Sequence, residues 1–161
     1  MILITGGIKS GKSTLALEVA KKISEPRIFI ATSEPIDTEM RSKIERHKAD
    51  RGKGFILYEE PIEISTLLLK TSANVTLIEC MATWVNNLIH YKKDVDEYFN
   101  SFINSLKGNE IIVTNETGLG IIPDTPLVRE YSMHLGNINK MLAKKADEVY
   151  LMVSGLKVKV K

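Results

Sequence analysis

MILITGGIKSGKST, residues 1–14, sets an apolar run of five residues against a glycine-rich loop, and its reading governs the rest of the chain. Gly6, Gly11, Lys12 and Ser13 satisfy G-x-x-x-x-G-K-[ST] between a strand-like and a helix-like segment, the context a phosphate-binding loop requires. Glycines let the backbone curl until successive N–H groups point inward, and the helix that follows adds the positive end of its dipole. In such a loop Lys12 reaches the β and γ phosphates as a point charge, and the Ser13 hydroxyl ligates Mg²⁺. The motif specifies a nucleoside triphosphate and leaves open what is done with it.

Working outward, similar apolar runs recur: RIFIAT (27–32), FILYEE (55–60), NVTLIEC (74–80), EIIVTNE (110–116) and DEVYLMVSG (147–155). Each reads as a strand. Between most of them lie segments with helical spacing: Leu15, Val19 and Lys22 after the loop, MATWVNNLIHY (81–91), DVDEYFNSFINSLKG (94–108) and PLVREYSMHLGNINKMLAKKA (126–146). Strands apolar at nearly every position, alternating with helices, predict an α/β fold with a mostly parallel sheet and helices on both faces. The tail LKVKVK (156–161) alternates apolar and basic residues, as an edge strand with one solvated face does, and its lysines discourage sheet-to-sheet association.

The 161 residues, 43% of them hydrophobic, suffice for one core, so a single domain over 1–161 is expected. Net charge is only +2, from 22 basic and 20 acidic side chains, which argues against nucleic acid or an anionic membrane as partner. Cys80 has no cysteine to pair with and reads as a small core residue in a reducing compartment. A strand starting at Met1 leaves no room for a leader, and no apolar run approaches the ~18 residues of a membrane span, so a cytoplasmic protein is expected.

A phosphate loop needs a second acid at a strand end to hold the metal or its water. Glu79 in LIEC and Glu116 in VTNE are the candidates, and either also reads as a solvated strand terminus. The segment DTEMRSKIERHKADRGKG (37–54) opens on Asp37, a good N-cap, and closes on glycines, which predicts a helix from about Thr38 to Arg51. On it His47 stands one turn after Lys43 and one turn before Arg51. Flanking cations disfavour the imidazolium and keep the ring neutral, hence nucleophilic, near pH 7. The same residues also describe a solvent-facing histidine on a basic helix. His90 and His134 are weaker candidates, and Trp84 reads as core.

In their order the blocks ITGGIKSGKS, IATS (30–33), IERHKADR (44–51), EEP (59–61), LIEC, VTNETGLGIIP (113–123) and LGNINKMLAKKADEVYLMVSG (135–155) resemble one family, the bifunctional adenosylcobinamide kinase / adenosylcobinamide-phosphate guanylyltransferases of cobalamin assembly. The resemblance covers almost the whole chain. It implies a RecA-like P-loop fold, a homotrimer, Mg²⁺ with ATP or GTP as co-substrate, and a corrinoid acceptor. The family's guanylylated histidine falls on His47, with Lys12 as the second catalytic residue. Its nucleotide contacts fall on Gly7, Ile8, Lys9, Ser10, Gly11, Lys12, Ser13 and Thr14, on Ala31, Thr32 and Ser33, on Lys48, Ala49, Asp50 and Arg51, and on Glu59 and Glu79; Ser13 and Glu79 would hold the metal. Some members carry a second histidine where this chain has Arg46, and many end in GLP where this chain has GLKVKVK.

Overall fold

The structure is a computed structural model that describes residues 1–34, 54–120 and 122–161. Among the described residues seven strands form one sheet: β1 (Ile2–Gly6), β2 (Arg27–Ala31), β3 (Ile56–Glu59), β4 (Val75–Glu79), β5 (Glu110–Val113), β6 (Glu148–Val153) and β7 (Leu156–Lys159), in the order β3-β2-β4-β5-β1-β6-β7. Neighbours from β3 through β6 are parallel, with Leu3 of β1 in register with Ile112 of β5 and Val149 of β6. Only β7 runs antiparallel, folding back on β6 through Ser154 (φ 49°) and Gly155 (φ 86°). Positive φ at both central residues is the tight hairpin turn whose twist matches the strands.

Parallel neighbours require crossovers, and for every connection but β2 to β3, most of which lies outside the described residues, the described helices supply them: α1 (Lys12–Lys21), α2 (Ile64–Lys70), α3 (Met81–His90), α4 (Val95–Ser105) and α5 (Pro126–Lys145). Leu15, Ala16 and Ala20 of α1 pack on one face against Ile4, Phe29, Leu77 and Val113. The other four helices pack on the opposite face, where Trp84, Phe99, Phe102, Leu135 and Ile138 meet Leu3, Ile30, Ile78 and Ile112. Trp84 is buried core, as read, with its ring centroid 5.5 Å from that of Phe102 and its indole N–H donated to the Ile62 carbonyl at 2.9 Å. Asp94 caps α4 by accepting the Glu97 N–H at 2.9 Å, and Pro126 opens α5 where its missing N–H leaves no bond unmade. At the far end of α5, Lys161 Nζ donates to the carbonyls of Ala146 (2.5 Å) and Lys144 (3.1 Å), closing the negative end of the helix.

The α/β reading therefore stands, with one refinement. Helix α2 has no counterpart in the sequence reading, because its seven residues ISTLLLK are too short for periodicity and no side chain caps it. The helix expected over Thr38–Arg51 lies outside the described residues. No described helix is long and apolar enough to cross a membrane.

Candidate active site

The carboxyl ends of β1, β2, β4 and β5 share one edge of the sheet, and the glycine loop rises from it. At Gly6 the backbone (φ +147°) passes so close to β6 that a Cβ would run into the Met152 carbonyl oxygen and stand 2.9 Å from Ser10 Oγ. Lys9 (φ 56°) and Gly11 (φ 96°) take left-handed conformations, which curl the loop before α1 begins. The hairpin turn braces it from the other side: the Gly155 N–H donates to the Ser10 carbonyl at 3.1 Å. Inside the curl the buried Lys12 ammonium donates to the Gly7 carbonyl at 2.6 Å. Ser10 Oγ is buried without a hydrogen-bond partner among the described residues.

Ser13, at the start of α1, donates its hydroxyl to Glu79 Oε1 at the end of β4. Strand β5 stands between β1 and β4, so Glu79 is two strand spacings, about 10 Å, from the strand that carries the loop. The pair forms because α1 crosses over the sheet. Glu116, on the side of the immediate neighbour β5, turns away: its backbone N–H donates to the Gly6 carbonyl at 3.0 Å while its carboxylate accepts the Gly118 N–H at 2.8 Å. A hydroxyl and a carboxylate are hard oxygen donors of the kind Mg²⁺ takes, one or two from protein and the rest from phosphates and water.

Next along the edge, β2 and β4 are clasped. Thr32 Oγ1 accepts from the Cys80 N–H at 2.8 Å and donates to the Cys80 carbonyl at 2.9 Å, while the Thr32 N–H donates to the Glu79 carbonyl at 2.9 Å. Asn87, buried in α3, reaches under both loops and donates to the carbonyls of Thr32 (2.8 Å) and Pro61 (3.1 Å). Burial pushes the Cys80 thiol above its ordinary value, against a 3.2 Å contact with Thr83 Oγ1, so it stays protonated near neutrality and is no nucleophile. Burial likewise pushes the neighbouring Tyr131 phenol up to about 12.

The structure thus gathers Gly7, Ile8, Lys9, Ser10 and Gly11 in one loop, continues it with Lys12, Ser13 and Thr14 in the first turn of α1, and brings Glu79, Ala31, Thr32 and Ser33 to the same edge. Ile8, Lys9 and Thr14 are exposed, whereas Ala31 and Thr32 are buried. Glu59 ends β3, four strand spacings or about 19 Å from β1, and is exposed. His47, Lys48, Ala49, Asp50 and Arg51 lie outside the described residues. His90 ends α3 edge-on to Tyr91, and His134 Nδ1 stands 3.6 Å from Asp96, so neither joins the edge. Asn87 and Gly155 escape a sequence reading. The one available signal is a polar residue on the apolar face of MATWVNNLIHY, three residues after Trp84.

Three comparisons bear on this site. Among solved structures the chain is similar to the flagellar accessory protein FlaH of Methanocaldococcus jannaschii (14% identity, 99% of this chain and 77% of that one, TM-score 0.51). It is also similar to an ATPase of a type III secretion system (10%, 98% and 56%, 0.58) and to the VirB11 ATPase of Brucella suis (16%, 99% and 46%, 0.50). At such identities the likeness shows the P-loop ATPase fold alone. Curated relatives are closer: the bifunctional adenosylcobalamin biosynthesis protein CobU of Escherichia coli is 36% identical over all of this chain and 99% of its own, and that of Salmonella typhimurium is 34% identical over the same shares. The Pseudomonas aeruginosa protein CobP, of the same description, is 32% identical over 99% of this chain and 96% of its own. The sequence profile of the cobinamide kinase / cobinamide phosphate guanyltransferase family matches residues 2–160, and with the phosphate loop, the Ser13–Glu79 pair and relatives of full length in agreement, the chain belongs to that family.

Proposed function

We propose that the chain carries out both transfers for which its family is named, with the roles of individual residues as follows. In the first, the side-chain hydroxyl of adenosylcobinamide attacks the γ-phosphorus of ATP or GTP, the bond to the β-phosphate oxygen breaks, and the hydroxyl proton leaves to solvent or a nearby base. Such a transfer depends on position and charge neutralisation rather than on covalent chemistry by the protein. The backbone N–H groups of Gly7–Thr14 hold the phosphates, and Lys12 draws off charge as it shifts toward the leaving oxygen. Ser13 and Glu79 would hold Mg²⁺, which when bound neutralises the β and γ oxygens. Ala31, Thr32 and Ser33 would line the edge beyond, and Glu59, some 19 Å from β1, would meet the far end of the nucleotide.

In the second transfer a ring nitrogen of His47 attacks the α-phosphorus of GTP, pyrophosphate leaves, and the ring loses its proton to give a GMP–histidine phosphoramidate. The phosphate of adenosylcobinamide phosphate then displaces the histidine and yields adenosylcobinamide-GDP. Lys48, Ala49, Asp50 and Arg51 accompany His47 as nucleotide contacts. With this reading come the remaining expectations: one domain over 1–161 and a cytoplasmic location, from the composition and sequence pattern, and a homotrimer, from the family resemblance.

The observation that carries the proposal is the buried Lys12 set in a curled loop beside the Ser13–Glu79 pair. Incubation with GTP labelled at the α-phosphate should leave an acid-labile, alkali-stable label on the wild-type protein and none on His47→Ala. A labelled His47→Ala protein, or one that passes guanylate on at the wild-type rate, removes the histidine from the mechanism.

A further inference from the structure

Helix α5 is longer than the sheet it covers. Leu127, Val128, Tyr131, Leu135, Ile138 and Leu142 fall on one stripe at three- and four-residue spacing. Leu135, Ile138 and Leu142 are buried against the sheet, and the Tyr131 hydroxyl donates to the Ala82 carbonyl at 3.2 Å, at the level where β4 has just ended. Leu127 and Val128 continue the stripe about one turn, ~5 Å, past that level. They are 60% and 45% exposed. In the connection from β5 to α5, just before this overhang in the chain, Leu119 (81%) and Ile122 (78%) are exposed as well.

The overhang is anchored. Arg129 Nη1 donates to the carbonyls of Pro123 (2.9 Å) and Asp124 (2.7 Å), Asn139 holds the Asn115 carbonyl at 2.9 Å, and the Glu116 N–H is tied to Gly6 of the phosphate loop. An apolar wall is therefore held at the same sheet edge as Lys12. A stripe that continues its sheet-facing side past the last strand faces the space over that edge, where the acceptor of a phosphoryl group must come in.

We propose that this overhang, Leu127 and Val128 with Leu119 and Ile122, is the platform that seats the body of the acceptor, a broad macrocycle with apolar faces. The acceptor's hydroxyl-bearing arm then reaches the phosphates. The inference rests on the cobinamide reading above and deepens it. Cobinamide's ring is far larger than a cradle built for phosphates, so most of its surface has to be met outside the loop, and this wall stands at the same sheet edge.

The test is cobinamide binding to the full chain, followed by equilibrium dialysis and corrin absorbance, for wild type, for the Leu127→Ser/Val128→Ser pair and for the Leu119→Ser/Ile122→Ser pair. The first pair sits in the first turn of α5, where serine is tolerated, and the second lies outside any helix, so a folding defect common to both is not expected. Each pair should weaken cobinamide binding on the order of tenfold or more while GTP binding stays within twofold of wild type. Cobinamide binding unchanged in both pairs overturns the proposal, and if the assembly mass falls at the same time the wall is an interface between copies instead. Wild type that binds cobinamide but never phosphorylates it overturns the functional reading and leaves this one to the variants; wild type that does not bind it overturns both.

Discussion

Gly6 shows how one missing atom sets the geometry of the whole loop. Its φ of +147° is a conformation that side chains other than glycine's rarely adopt, and the space a Cβ would need is taken by the Met152 carbonyl, which is backbone and cannot swing aside. Gly6→Ala must push β1 from β6 or uncurl the loop, and either displaces Lys12. We expect a loss of about 2–4 kcal/mol in urea unfolding, from strain and overpacking together, with nucleotide binding abolished. A variant with wild-type stability and affinity contradicts the close approach. Gly11→Ala is the milder comparison: its φ of 96° is also unfavourable, but the nearest obstacle is the flexible end of the Met152 side chain at 3.3 Å. The sequence motif already required glycine at both positions. The different reasons, a neighbouring backbone at one and conformation at the other, depend on β6 and are invisible until the strand order is known.

Among the elements, the β6–β7 hairpin has the clearest electrostatic character. Glu148 accepts from the Tyr150 hydroxyl at 2.5 Å and from Lys159 Nζ at 2.9 Å, and these partners hold its carboxyl below its ordinary 4.5. The same pairing raises Lys159 above its ordinary 10.5. A depressed carboxyl stabilises the fold above the unfolded-state value and loses that contribution as pH falls through the lower folded value; a raised amine does so below its unfolded value and loses it as pH rises. Wild type should therefore exceed Glu148→Gln in stability by a constant amount between about pH 5.5 and 9.5, and the difference should shrink as the pH falls below the ordinary carboxylate range and Glu148 becomes protonated in the folded state too. The groups are exposed, so the plateau is small, within the range of surface pairs. A gap that grows on acidification would refute the assignment. The hairpin matters to the site because its turn holds the Ser10 carbonyl through Gly155. Alternation in LKVKVK made the strand legible, but its antiparallel partner and its grip on the loop were not, since alternation specifies a face and not a neighbour. The Asn87 clamp was hidden for the same reason: a polar residue on an apolar helix face announces a need for partners without saying which carbonyls meet it.

For the whole molecule, strand order separates what could be read from what could not. Apolar runs located β1 through β6, with ends within a residue or two except at β5, where the run reads on three residues past Val113; the central strands, buried on both faces, have to be apolar throughout, whereas the edge strand β3 is mostly exposed. The β3-β2-β4-β5-β1 order, which leaves β5 between Ser13's loop and Glu79's strand, belongs to long-range pairing, and local pattern carries no trace of it. On the proposed reading that order makes nucleotide binding a property of the assembled sheet, because the loop, Glu79, Thr32 and Glu59 follow four different strands and share one edge only when the chain is folded. A ligand that binds the folded chain alone stabilises it by RT ln(1 + [L]/Kd), about 2.7 kcal/mol at a hundredfold excess over Kd, which for a chain of this size corresponds to a rise in Tm of roughly 5–10 °C. GTP with Mg²⁺ should produce such a shift, Lys12→Ala should remove it, and chelation of the metal should shrink it if Ser13 and Glu79 bind through Mg²⁺. Covalent capture adds a signature that simple binding lacks. After gel filtration removes unbound nucleotide, protein treated with GTP should retain part of its shift, whereas protein treated with an analogue whose α–β bridge cannot break should lose all of it. Retention by both would point to slow release, and loss by both would leave the loop as a nucleotide site with no covalent step behind it.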